Sequence, residues 1–133
     1  MTVTRVVLVE DDPDDKDMFY SFFSPRKDLE LLPAMANGAE LVEYLQNLPA
    51  DEALPDLIIL DQNMPIMNGR QTLAFLKANA RFAPIAAVIY STYADSNLII
   101  ECKNLGAGMV AVKPITEEGY RKMMDNFLQL VRK

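Results

Sequence analysis

Five short apolar runs alternate with five amphipathic stretches along this chain, and that alternation is the strongest constraint on its fold. Strands repeat every two residues and helices every 3.6, so a chain that switches between the periods fixes its element order before any chemistry is considered. RVVLVE (5–10) is short and β-branched, and PDDKDMFYSFFS (13–24) then sets Met18, Phe19, Phe22 and Phe23 at helical spacing. LELLPAM (29–35) reads as a weaker strand. Its Pro33 has no N–H to give a ladder and places that strand at a sheet edge. AELVEYLQNL (39–48) carries Leu41, Val42, Leu45 and Leu48 on one face, and PADEALP (49–55) reads as an exposed linker. DLIILD (56–61) is apolar without alternation, as a central parallel strand covered on both faces requires.

The cycle continues with a helix over 70–80, a strand over 85–91, a helix over 94–106, a strand over 108–114 and a helix over 117–133. Five βα units predict a three-layer α/β sandwich with a five-stranded parallel sheet and right-handed crossovers. With the second strand at an edge, the expected order is 2-1-3-4-5, the flavodoxin-like (βα)5 arrangement.

With 133 residues and no composition break, residues 1–133 read as a single domain. Hydrophobic residues make up 50% and charged residues 24%, which excludes a disordered chain. No apolar run approaches the roughly 20 residues that span a bilayer. The N-terminus shows no charged leader and cleavage site, so a cytoplasmic, membrane-free protein is expected. A net charge of -6 with scattered basic residues argues against direct nucleic-acid binding. The single Cys102 excludes an internal disulfide and reads as an inert thiol, while the absence of His removes the commonest base and metal ligand.

In such a sheet, ligands bind beyond the carboxyl ends of the strands, where strands one and three meet. Strand one ends in Glu10, Asp11 and Asp12, strand three in Asp61, strand four in Ser91 and Thr92, and strand five in Lys113 and Pro114. Asp12 before Pro13 suits an N-cap, and Asp14 and Asp15 suit the positive first turn of a helix. That structural reading does not cover Glu10 and Asp11, which precede the cap. Carboxylates at Glu10, Asp11 and Asp61 repel one another unless protonated or neutralised, and a hard divalent cation such as Mg2+ is one remedy. A backbone carbonyl near Asn63 is a further candidate ligand. Lys113 is either a solvated edge charge or a counter-charge for a phosphoryl group, and Pro114 makes its bond a cis-peptide candidate.

Together these residues resemble the receiver domain of bacterial two-component response regulators. Glu10–Asp11, LDQNMPIMNG around Asp61, Ser91 after strand four and VKP at 112–114 occur in order over essentially the whole chain. The VEDDPDD opening and the insert before PDLIILD look most like stand-alone receivers that serve bacteriophytochrome kinases. The resemblance implies that Asp61 is the phosphoacceptor, attacking a phosphohistidine on a sensor histidine kinase or histidine phosphotransfer protein. It implies Mg2+ held by Asp11, by Glu10 through water, by Asp61 and by the Asn63 main-chain carbonyl. Lys113 and the metal would stabilise phosphoryl charge, and Ser91, with Thr92 beside it, would contact the phosphate as the switch. Val110 stands where the family usually has Tyr or Phe, so the usual coupling of hydroxyl to ring is missing at that position.

The expected function is therefore a phosphorylation-dependent signalling switch, a stoichiometric phosphoacceptor rather than an enzyme, read on the face of helix 4, strand 5 and helix 5. A degenerate receiver that only binds proteins is an alternative, as is an aspartyl-phosphate phosphatase. The phosphatase needs a second acid two residues after the nucleophile, where this chain has Asn63, and usually a cap domain. Only VRK follows the apolar part of the last helix, so no effector domain is expected. Output through partner contacts follows, with a homodimer through Met109, Met123 and Met124 as an open alternative to their packing in the core.

Overall fold

The computed structural model describes residues 3–131. Strands β1 (Thr4–Val9), β2 (Leu29–Leu31), β3 (Leu57–Asp61), β4 (Ala86–Ser91) and β5 (Met109–Val112) alternate with helices α1 (Pro13–Phe23), α2 (Gly38–Gln46), α3 (Gly69–Ala78), α4 (Ser96–Leu105) and α5 (Glu117–Val131). The strands form one parallel sheet in the order β2-β1-β3-β4-β5. The expected architecture is therefore the observed one. Arg132 and Lys133, taken above as the end of the last helix, lie outside the described residues.

Successive side chains of a strand face opposite sides of the sheet, and two cores result. Ile58 and Leu60 pack with Leu41, Leu45, Leu73, Leu76 and Cys102 on the side of α2, α3 and α4. Leu57 and Ile59 pack with Phe19, Phe23, Tyr120, Met124 and Phe127 on the side of α1 and α5. Residues Leu57 to Leu60 are all fully buried. Each such side chain contributes about 1.5–3 kcal/mol relative to exposure, which is why β3 is apolar on both faces.

Local chemistry fixes the helix starts. Asp12 caps α1, Asn37 caps α2 and Asp95 caps α4, while Asn68 and Gln71 form a reciprocal capping box at α3. At the end of α4, Gly106 takes φ 109, the left-handed conformation a glycine cap supplies without strain.

Several expectations need correction. The second strand spans three residues rather than seven. The chain stays beside β1 through Leu32 N–H to Val6 O and Met35 N–H to Leu8 O, and Pro33 interrupts the ladder between them. The linker holds a 3-10 turn at Asp51–Ala53, pinned by an Arg81–Asp51 ion pair of 2.7 Å. No peptide bond among the described residues is cis, so the Lys113–Pro114 bond is trans, the isomer an X–Pro bond favours by about 0.5–1 kcal/mol. Met123 and Met124 are buried in the α1/α5 core and the half-buried Met109 packs against it, so the two helix methionines serve the core. No helix among the described residues is long and apolar enough to cross a membrane.

Candidate functional site

The strand order puts β1 next to β3 and β3 next to β4, so residues distant in sequence share one rim. Glu10 follows β1 and is held in register by its N–H to Met35 O at 2.9 Å. Its side chain is fully buried. The Tyr90 hydroxyl donates to Glu10 Oε1 at 2.7 Å, the Lys113 ammonium lies 2.9 Å from the same atom, and the Asp12 N–H donates to Oε2 at 3.2 Å. Burial pushes the Glu10 carboxyl up, but hydrogen bonds with Asp61, Tyr90 and Lys113 outweigh it and hold the group below its ordinary value.

Asp61 ends β3 with 3% of its surface exposed. Burial, and then the neighbouring Glu10, push its carboxyl up to about 7. The Lys113 ammonium, 3.4 Å from Oδ2, and a long Asn63 N–H bond to Oδ1, also 3.4 Å, offset this only in part. Asp61 does not cap α3; that role belongs to Asn68. Behind it Gly69 packs so closely that a Cβ there would lie 2.6 Å from the Asp61 carbonyl oxygen, which fixes where the β3–α3 loop returns.

Asp11 is exposed on the rim. Carboxylate oxygens of Glu10, Asp11 and Asp61 lie within 4.8 Å of one another. A set of hard oxygen donors, with no sulfur or imidazole, fits Mg2+ or a similar cation. Asp11, Asp61, Asn63, Thr92 and Lys113 line a common pocket, as does Asp15.

Lys113 reaches that pocket from just beyond β5, its N–H bonded to Ser91 O at 2.8 Å. Burial lowers its affinity for a proton, but the pairs with Asp15 and Glu10 dominate and keep the ammonium charged. Ser91 is buried at the end of β4, its Oγ accepting a long 3.4 Å bond from the Tyr93 N–H, and Thr92 is exposed beside it. Val110 packs against the α2–α4 core, whereas Tyr90 belongs to the α1/α5 core across the sheet and Tyr93 is exposed. Neither ring therefore occupies the place that Val110 leaves without one.

Two residues of the cluster escape the sequence reading. Asp15, explained there as a first-turn helix acid, forms a 2.8 Å ion pair with Lys113. Tyr90 has no role in that reading, yet its hydroxyl anchors Glu10; the available signal is a phenol within an otherwise aliphatic strand. Cys102 is buried and its thiol is pushed up by that burial, in keeping with an inert role.

Residues 6–125 match the family model of the response regulator receiver domain. A protein-glutamate methylesterase/protein-glutamine glutaminase of Bacillus licheniformis is 31% identical over 110 residues, covering 83% of this chain and 29% of that protein. The chain thus spans about a third of the length of such curated relatives. The Mn(2+)-bound form of response regulator Rcp1 superposes with a TM-score of 0.78 at 25% identity, covering 92% of this chain and 90% of that one. The phosphorylated cyanobacterial phytochrome response regulator RcpA superposes with a TM-score of 0.83 at 24% identity, over 99% and 96% of the two chains.

Proposed function

The chain belongs to the response regulator receiver domain family, and from that premise we propose that it is a phosphorylation-dependent signalling switch with Asp61 as its phosphoacceptor. The observation that carries this reading is the placement of Asp61. It is a buried carboxylate at a strand end, beside the acids Glu10 and Asp11 and 3.4 Å from the Lys113 ammonium.

Asp61 in its carboxylate form attacks the phosphorus of a phosphohistidine on a histidine kinase or phosphotransfer protein. An O–P bond forms as the N–P bond breaks, and the leaving imidazole is protonated by its own surroundings. Asp11, Asp61 and the Asn63 main-chain carbonyl would hold Mg2+, with Glu10 acting through water. Bound there, the ion supplies charge neutralisation for the phosphoryl oxygens. Lys113 donates to one of those oxygens, and Ser91, with Thr92 on the outer rim, donates to another. These 133 residues include no His, so they do not themselves supply the phosphohistidine. The VEDDPDD opening supports a kinase of the bacteriophytochrome type.

We read the output as a rearrangement of the β4–α4 loop and of the face formed by α4, β5 and α5, without the ring that usually couples them. The role is stoichiometric rather than enzymatic. The test is intact-protein mass spectrometry after incubation with Mg2+ and a small acyl phosphate, beside Asp61→Asn. One phosphoryl group gained by the parent only, and lost on chelation of the metal, is expected. No gain under these conditions, together with no beryllofluoride complex, would favour a degenerate receiver that acts as a binding module.

A further inference from the structure

The Lys113 ammonium lies among three carboxylates, donating to Asp15 at 2.8 Å and pairing with Glu10 at 2.9 Å and Asp61 at 3.4 Å. Two of these, Glu10 and Asp61, belong to the group of acid oxygens that converge within 4.8 Å, and Asp15 does not. A cation on the converging acids would share the charge of Glu10 and Asp61, leaving Asp15 as the partner wholly available to Lys113.

The local structure explains why Asp15 is free for this. An acid in the third position of a helix commonly turns back to the N-cap N–H. Here that N–H, from Asp12, is taken by Glu10 Oε2, while the Asp12 carboxylate accepts from the Asp14 and Asp15 N–H groups at 2.8 and 3.1 Å. The Asp15 side chain extends across the rim to Lys113, just beyond β5, from a first turn capped by Asp12.

We propose that Asp15 is a positioning residue, which fixes the Lys113 ammonium at the mouth of the Asp61 pocket so that a proton points at the arriving phosphoryl oxygens. This rests on the phosphoacceptor reading of Asp61. Asp15 stands outside the converging acids and acts through Lys113. A four-carbon stem alone leaves the ammonium many rotamers, and the fixed carboxylate selects one.

The test compares Asp15→Asn with Asp14→Asn, which changes the same charge in the same turn at an exposed position, and with Asp15→Glu as the conservative rescue. The limiting phosphorylation rate is measured at saturating Mg2+ and small acyl phosphate, and the Mg2+ Kd is measured separately by calorimetry. The Lys113 ammonium resonance is followed by 15N-edited NMR in the Mg2+-loaded, unphosphorylated protein. For Asp15→Asn the limiting rate should fall about tenfold, the scale of losing one hydrogen bond to a charged group, with the Mg2+ Kd changed less than about twofold. The ammonium signal should shift or exchange away, and Asp15→Glu should recover part of both effects. Equal rates for Asp15→Asn and Asp14→Asn, an unchanged ammonium signal, or a loss confined to Mg2+ affinity would each overturn the proposal. If the parent takes up no phosphoryl group, the phosphoacceptor reading fails, and the ammonium signal still decides whether Asp15 holds Lys113.

Discussion

Asp61→Asn should stabilise the folded chain, and the gain should grow with pH. Burial and the adjacent Glu10 push the Asp61 carboxyl from 3.8 up to about 7. The folded chain thus binds this proton more tightly than the unfolded one. Stability from the protonated carboxyl is intact below pH 3.8 and is lost as pH rises toward 7. At about 1.4 kcal/mol per pH unit between the two values, the carboxylate opposes folding by about 2 kcal/mol at pH 5.5 and about 4 kcal/mol at pH 8. Asn keeps the size and removes the charge. Glu10 is held below its ordinary value of 4.5, so it is ionised in both folded and unfolded chains across that window, and the change reports Asp61. The assay is urea denaturation of parent and variant in the presence of a chelator, followed by circular dichroism because the chain has no Trp. The difference in stability should be about 2 kcal/mol larger at pH 8 than at pH 5.5. A difference independent of pH, or a variant less stable than the parent at pH 8, would refute the reasoning.

Ile66 adopts φ 69 in the β3–α3 loop while 82% exposed, so it bears left-handed strain with little packing in return. Ile66→Asn should raise stability by about 1 kcal/mol in chemical denaturation, and a loss would show that the side chain is held by contacts after all. Tyr90→Phe keeps the buried ring but deletes the 2.7 Å bond to Glu10. The expected loss is about 1.5–3 kcal/mol at pH 8, the range for a hydrogen bond to a charged group, and unchanged stability would mean that Lys113 alone satisfies Glu10.

What could be read from the sequence follows from how locally each feature is encoded. DLIILD announces a central strand because burial on both faces leaves no room for alternation, and β3 is buried throughout. Glu10, Asp11, Asp61, Ser91 and Lys113 were legible because each stands at a strand end, and strand ends share a rim once the order is known. Asp15 was hidden behind a sufficient local explanation, since the helix start alone accounts for an acid there. Its pairing with Lys113 depends on how far α1 and β5 are brought together, which no short window contains. Tyr90 needed the face of β4 to be known, and Met123 and Met124 needed the rotation of α5. Pro33 foretold an edge strand, yet only the register shows the ladder stopping at Leu31 and the chain returning for a single bridge at Met35.

The pairing of β1 with β3 runs from Val6–Leu57 to Val9–Leu60, joining segments between which a helix, an edge strand and a second helix intervene. Until those strands meet, Glu10 and Asp61 lie on separate pieces of chain and neither feels the other's charge. Their repulsion is felt at the same event that closes a long loop and so carries a large share of the chain entropy of folding. The acids at the rim thus burden the assembly of the whole sheet rather than the opening of one loop. Charge at the site and topology of the backbone act on a single step, the meeting of two strands that chain order holds apart.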